Sequence, residues 1–194
     1  MNRLLMSLLA AAGVALSGAA GAANTTMSKD QYNAEKDRIK ATYKADDERC
    51  KSLKSNAKDV CEAEVKGKRD IALADAEAAY KNTPAKRYDA RVARVEASYK
   101  VAKEKCDDLS GNAKDVCAKE AKAAEVKGKA DAKVDKVATE STQDAVKKSA
   151  DAKQDAAVDK RDADYKVAVE KCDALAGDAK DQCVKSAKAR FGKS

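Results

Sequence analysis

Apolar residues recur at alternating steps of four and three through the middle of the chain. The clearest run passes through Tyr88, Val92, Val95, Tyr99, Ala102, Cys106 and Leu109. This is the heptad spacing of a helix that packs one seam against another helix. Weaker versions of the same seam precede Leu53 and Leu175. The pattern predicts an all-α, elongated and coiled-coil-like fold of antiparallel helical hairpins.

A twelve-residue motif bounded by cysteines occurs three times, at residues 50–61, 106–117 and 172–183, and it contains all six cysteines. A tyrosine stands seven residues before the first cysteine of each motif, and a leucine stands three residues after it. The predicted seam residues are therefore Tyr43, Leu53, Tyr99, Leu109, Tyr165 and Leu175. Repetition on this scale is typical of stacked or strung supersecondary units.

Residues that favour turns and helix caps follow each of these leucines. Gly111 and Gly177 suit a left-handed C-terminal cap, and Ser55 takes that place less well in the first unit. An Asn or Asp comes next as a predicted N-cap, with an Asp three residues later to complete a capping box. The predicted turn and cap residues are Asn56, Asp59, Gly111, Asn112, Asp115, Gly177, Asp178 and Asp181. Each motif thus predicts a helix-turn-helix.

The spacing of the cysteines tests this interpretation. On one continuous helix, residues 11 apart lie about 16 Å apart along the axis. A disulfide needs Cα atoms within roughly 4.4–6.8 Å, so it cannot form on such a helix. In a hairpin that turns between the cysteines, the two face each other. We therefore predict three local disulfides, Cys50–Cys61, Cys106–Cys117 and Cys172–Cys183, in an oxidising compartment.

Breaker residues divide the chain into three hairpin units, at residues 28–81, 85–140 and 141–191. The helices are predicted at about residues 28–54, 57–81, 84–109 and 179–190, with Pro84 at the first position of the third. Residues 113–175 contain only Gly128 as a breaker, so they form either one long helix or two helices divided near Glu140–Ser141.

The N-terminal residues have the pattern of a secretory signal peptide. Arg3 precedes an apolar run at residues 4–16, and small residues follow at 17–23. The signal would occupy residues 1–22, with cleavage after Ala22 or Ala23. An uncleaved anchor is the alternative, although the run is shorter than the roughly 20 residues that span a bilayer. We expect export to the periplasm, with no transmembrane anchor after cleavage.

The amino-acid composition limits the kinds of core and functional site that the chain can form. Charged residues make up 38% of the chain and aromatic residues 4%, so the chain cannot fill a broad core, and disorder is the competing interpretation. There is no histidine, and the Cys-x10-Cys spacing differs from the Cys-x-x-Cys of redox enzymes. We predict no catalytic, cofactor or metal site. The net charge of +7 is spread among interleaved acids, so nucleic acid is not expected as a partner.

The chain resembles a group of exported proteins of Gram-negative bacteria. The resemblance lies in the Ala/Lys-rich helices, the signal peptide and the motif Tyr-Lys-x-Ala-x-Glu-Lys-Cys…Gly-Asn-Ala-Lys-Asp-x-Cys. The proteins of this group are labelled TolA-like cell-envelope biogenesis proteins, and the resemblance covers nearly the whole mature chain. It implies a periplasmic helical protein of unassigned function. We expect a non-enzymatic structural or interaction role, with a protein partner or self-association through helical seams. The alternative is a stress or chaperone-like protein that binds unfolded clients or anionic envelope polymers.

Overall fold

The computed structural model describes residues 26–139 and 143–193, and these two ranges define the fold. They form six helices: α1 (Lys29–Cys50), α2 (Ser55–Lys81), α3 (Pro84–Cys106), α4 (Gly111–Ala138), α5 (Gln143–Cys172) and α6 (Gly177–Phe191). No strand occurs in these two ranges. The predicted all-α fold is confirmed, whereas the predicted signal peptide lies outside the described residues.

Each helix in the described part packs only on the helices next to it in the chain: α1 on α2, α2 on α3, α3 on α4, α4 on α5, and α5 on α6. Successive helices are antiparallel, and because α1 and α6 do not meet, the described helices form an open row and not a closed bundle. The turns at 51–54, 107–110 and 173–176 lie at one end of the row. The α2–α3 connection lies at the other end, as do the last residues of α4 and the first residues of α5, and the hairpins span residues 29–81, 84–138 and 143–191.

Small residues form most of the buried surface between these helices. Alanines make up most of the buried residues, and the largest fully buried side chains are Cys50, Cys106 and Cys172. Gly67 on α2 lies so close to α3 that a Cβ atom there would meet the Ala97 Cβ at 2.9 Å. The helices approach closely because their contact residues are small, and among the described residues no large aromatic side chain is fully buried in the row.

Capping residues account for two of the helix starts. Ser28 forms a capping box with Gln31, through hydrogen bonds of 2.9 and 3.2 Å. Thr83 accepts from the Lys86 N–H at 3.2 Å, and Pro84 follows as the first residue of α3. The second of these features separates α2 from α3, so the predicted break at residues 82–84 is confirmed.

The first helix of each hairpin ends at its cysteine and not after the leucine. The backbone N–H groups of Leu53, Leu109 and Leu175 donate to the carbonyl of the cysteine three residues before them, at 2.9–3.0 Å. The chain then leaves the helix, and the three leucines are 41–45% exposed. Their predicted place on the buried seam is wrong, because the turn begins one helical turn earlier than expected and carries them to the outside of the tip.

The second helix of each hairpin begins earlier than predicted. It starts at Ser55, Gly111 or Gly177, each in the left-handed region with φ of 50–56°. The N-cap residue before each of them makes no side-chain hydrogen bond. The predicted N-caps Asn56, Asn112 and Asp178 lie inside the helices, so the predicted capping boxes are absent at these three starts. The acids of those boxes are exposed: Asp59, Asp115 and Asp181. The left-handed backbone expected of the glycines is present, but it opens the second helix and does not close the first.

The stretch at residues 113–175 is not one helix. α4 ends at Ala138 and α5 begins at Gln143. The Thr139 hydroxyl donates to the Lys136 carbonyl at 2.8 Å, which satisfies one carbonyl of the last turn of α4. Of the two predicted alternatives, the divided helix is confirmed. In the described ranges, no helix has the length and apolar character needed to cross a membrane.

Candidate binding surface

Three disulfides close the tips of the three hairpins. They join Cys50 to Cys61, Cys106 to Cys117 and Cys172 to Cys183, with Cα–Cα distances of 5.5, 5.6 and 5.7 Å. All six cysteines of the chain are engaged. The first cysteine of each pair is at most 1% exposed. The predicted pairing is confirmed, and because the helices alternate in direction, all three bonds lie at the same end of the row.

The first tip differs from the other two in its charges. Lys114 pairs with Asp107, and Lys180 pairs with Asp173, each at 2.9 Å across the turn. In the first hairpin, Lys51 stands where these aspartates stand in the others, and it pairs instead with Glu48 on its own helix. The first turn therefore lacks the ion pair that spans the other two turns.

The asparagines predicted to cap helices join neighbouring hairpins instead. The Asn56 side-chain amide donates to the Glu104 carbonyl at 2.9 Å, from the first hairpin to the second. Asn112 makes the same bond to the Glu170 carbonyl at 3.2 Å, from the second hairpin to the third. This contact escaped sequence reasoning because an Asn before a helix satisfies the capping pattern equally well. Its recurrence at one position of the cysteine motif was the available signal.

Matching ion pairs accompany these hydrogen bonds. Lys105 on α3 pairs with Glu64 on α2 at 3.1 Å, and Lys171 on α5 pairs with Glu120 on α4 at 2.5 Å. The two pairs occupy equivalent positions in the repeat. The α2–α3 and α4–α5 contacts are thus two copies of one interface between hairpins.

The seam tyrosines contact the partner helix of their own hairpin, as the sequence predicted. Two of them lie against a cation, with 4.5 and 5.2 Å to the ring centroid, and the third meets a phenylalanine edge-on with centroids 6.2 Å apart. The pairs are Tyr43 with Arg69, Tyr99 with Lys122, and Tyr165 with Phe191. These rings pack between the two helices of their own hairpins.

Two shallow apolar grooves flank α3 on one side of the row. The larger, of about 400 Å³, lies between α2 and α3 and includes Ile71 and Val101. The smaller, of about 310 Å³, lies between α3 and α4 and includes Tyr99. Ser98 and Ala102 line both, so the grooves open on the same face. We call this surface the groove face, and it is the candidate binding surface.

A buried carboxylate lies at the rim of the smaller groove. Glu125 on α4 is 7% exposed and bonds to Lys122 at 2.7 Å and to Lys129 at 2.8 Å. Lys129 also reaches Glu96 on α3, at 2.7 Å. Burial alone would raise the pKa of Glu125, but the hydrogen bonds from the two lysines outweigh it and lower that pKa. The carboxylate is therefore held charged, which suits an ion-pair network between helices and not a proton-transfer group.

Alternating charges join α4 to α5. The pairs are Lys127 with Asp164, Lys133 with Asp155, and Lys160 with Asp131. Such pairing spreads the positive charge and gives no concentrated basic patch along this interface. The described residues contain no cluster of three or more side chains able to hold a metal ion.

No family model, no curated protein and no solved structure matches this chain. The family resemblance based on the cysteine motifs accordingly stays a prediction.

Proposed function

We propose that this protein is a non-enzymatic scaffold of the bacterial cell envelope that binds a helical segment of a partner protein on its groove face. The observation that supports this best is the pair of apolar grooves on either side of α3, in a row of helices where no other described helix covers them. The cell-envelope and TolA-like assignment rests on the sequence resemblance, and the groove geometry adds the binding surface.

Export to the periplasm is part of the same proposal. Three disulfides that engage every cysteine of the chain indicate an oxidising environment. The signal-peptide pattern supports secretion, and a Gram-negative periplasm satisfies both conditions. Fractionation of cells that produce the full chain should place the oxidised protein in the periplasmic extract.

The grooves suit an amphipathic helix because of their shape and chemistry. The larger groove lies between α2 and α3, and aliphatic residues such as Ile71 and Val101 line it. The Glu64–Lys105 ion pair borders one groove, and Glu125 borders the other. An amphipathic helix places an apolar stripe into such a groove while its polar flanks meet the charged rims. A flat charged polymer would leave these aliphatic lining residues exposed.

Site-specific photo-crosslinking tests the proposal. A photoreactive amino acid replaces Ser98, which lines both grooves, in cells that export the protein. The matched control replaces Lys100, also on α3, in the polar groove of the opposite face with Asp59 and Glu62. We expect one or a few discrete protein adducts from position 98 only. Equal labelling from both positions, or no protein adduct at position 98, would contradict the groove face as a binding surface.

A chaperone-like function is the second candidate. Beyond the grooves, Val146 is 78% exposed and Val158 is 41% exposed on α5, which adds apolar surface for an unfolded client. This function predicts that the purified protein suppresses aggregation of a model client, and that Ser98→Glu weakens the effect. The anionic-polymer alternative predicts salt-sensitive binding to lipopolysaccharide. The alternating ion pairs between α4 and α5 give that alternative the least support.

A further inference from the structure

The two outermost helices of the row, α1 and α6, carry the two halves of an interface that the chain already forms twice. α2 packs on α3, and α4 packs on α5. The two contacts have equivalent registers, because the same asparagine hydrogen bond and the same lysine–glutamate ion pair occur in both. By position in the repeat, α6 is the counterpart of α2 and α4, and α1 is the counterpart of α3 and α5. α6 contacts only α5, and α1 contacts only α2, among the described helices. Within the described part of the chain, the outer side of each is open.

The equivalent alanines show what these open sides lack. Ala97 and Ala163 stand nine residues before the first cysteine of their hairpins, and each is 6% exposed against the preceding hairpin. Their counterpart on α1, Ala41, is exposed. On the other half of the interface, Gly67 and Ala123 are buried, while their counterpart on α6, Ala189, is exposed. Both differ from their equivalents because no described hairpin lies against them.

We propose that a second copy of this chain adds head to tail, with α6 of one copy packed on α1 of the next as α2 packs on α3. Each copy carries both halves, so the contact is heterologous and growth can continue from both ends. The inference uses the edges of the row and not the groove face, and it is independent of the partner proposed there.

Polar groups on the open sides of α6 and α1 also match those of the internal interfaces in part. Lys119 pairs with Glu170 at 3.4 Å in the α4–α5 interface, and the equivalent residues at the open ends are Lys185 on α6 and Glu48 on α1. The carbonyl of Glu104 accepts both the Asp107 N–H and the Asn56 amide. The carbonyl of Glu48 is its counterpart on the open edge.

Two replacements weaken the contact between copies. Asp178 stands where Asn56 and Asn112 donate in the internal interfaces, and a carboxylate cannot donate to the Glu48 carbonyl. Ser186 stands where Glu64 and Glu120 pair with a lysine. In addition, α6 has 15 residues, compared with 27 in α2 and 28 in α4, so it covers only part of α1. The association between copies is therefore weak and reversible, and Asp178, Ser186 and the short α6 limit the number of copies that join.

Sedimentation of the mature, oxidised protein over a wide concentration series tests this inference. The wild type should associate reversibly as its concentration rises. Asp178→Asn restores the donor and should tighten the association about tenfold, the equivalent of one net hydrogen bond. Ala41→Glu and Ala189→Glu should each stay monomeric, since both positions are exposed and the fold is expected to survive, as circular dichroism would check.

Mixing the two monomeric variants gives the sharpest outcome. Ala41→Glu keeps an intact α6, and Ala189→Glu keeps an intact α1, so an equal mixture should form a one-to-one dimer and nothing larger. Ala34→Glu is the matched control, because Ala34 lies on the same side of α1 beyond the end of a docked α6, and it should associate like the wild type. If the wild type and Asp178→Asn are both monomeric throughout, or if the mixture forms no dimer, the inference is wrong.

Discussion

Asn112 in the second hairpin donates its side-chain amide to the backbone carbonyl of Glu170 in the third, over 3.2 Å. The bond leaves the hairpin to which Asn112 belongs and crosses to the next one. Asn56 and Glu104 repeat it one unit earlier. The tip of each of the first two hairpins is therefore a point of attachment for the hairpin that follows, besides being a turn.

Removal of this amide should loosen the attachment of the third hairpin. Asn112→Ala leaves a half-buried carbonyl without its side-chain donor, and we expect a loss of about 1 kcal/mol in the free energy of unfolding. Urea denaturation followed by circular dichroism measures it. Asn33→Ala on α1 is the control, because Asn33 is exposed and no loss is expected there. Equal stabilities for both variants would show that the bond contributes nothing.

The first tip should be improvable at Ser55. This residue has a φ of 50°, where the other two tips carry glycine. A residue with a Cβ atom costs about 1–2 kcal/mol in the left-handed region, and glycine removes this cost. Glycine also makes the unfolded chain more flexible, which offsets part of the gain in stability. We expect Ser55→Gly to stabilise the protein by about 0.5–1 kcal/mol, seen as a higher melting temperature. The reverse exchange, Gly111→Ser, should lower it, and a rise there would contradict this account of the tips.

The close approach of α2 and α3 should depend on Gly67. Ala in its place gains helix propensity but meets the Ala97 Cβ at 2.9 Å, and neither atom can move without its backbone. We expect Gly67→Ala to cost about 1 kcal/mol net, the overpacking penalty exceeding the gain in propensity. A double-mutant cycle with Ala97→Gly isolates the contact. The two changes should be non-additive, with the double variant more stable than the sum predicts.

Each disulfide should contribute to stability by closing a short loop. A loop of about 12 residues corresponds to about 3 kcal/mol in the chain-entropy treatment. The variant with Cys106→Ala and Cys117→Ala should lose about that much in urea, and reductant should remove most of the difference from the wild type. The intact mass of the protein purified without reductant should be about 6 Da below that of the reduced chain. Free thiols in the protein purified without reductant would contradict the disulfides at the hairpin tips.

The free energy of unfolding should fall at acid pH as the Glu125 carboxylate becomes protonated. Its folded-state pKa is below the unfolded value of about 4.3, so its contribution is fully present above that pH and is lost as pH falls through the folded-state pKa. The pKa of Lys129 is raised, so its contribution is present below about pH 10.4 and is lost as pH rises through its folded-state pKa. Glu125→Gln should flatten the acid limb of a melting-temperature profile. Glu48→Gln, in a solvent-screened pair, should change it little.

The hairpins and their disulfides could be predicted because their evidence is local. Cys106 and Cys117 are 11 residues apart, and only a turn brings them together. The positions of the leucines could not, because a difference of one helical turn in where α3 ends moves Leu109 from a seam to an exposed tip. The breaker residues allow both endings. The first cysteine lies on the buried side, as predicted, because it belongs to the helix in either case.

The role of Asn56 could not be read from its surroundings in the chain. Its donor reaches Glu104, 48 residues away, and nothing in the capping pattern distinguishes this from a bond to its own helix. The groove face also escaped prediction, because it depends on how α2 and α4 lie beside α3. The contact of the Phe191 ring with Tyr165 likewise depends on how α5 and α6 lie together. In each case the missing information was the contact between helices.

The sequential packing of the described helices has a consequence for how the protein matures. Six cysteines allow 15 pairings, and a chain with distant contacts must sort among them. Here each helix meets only the next, and each cysteine bonds 11 residues away. Contacts of such short range form quickly and do not wait for later segments. The bonds can therefore close one after another along the chain, from the first hairpin to the third, and the native pairing needs no later reshuffling.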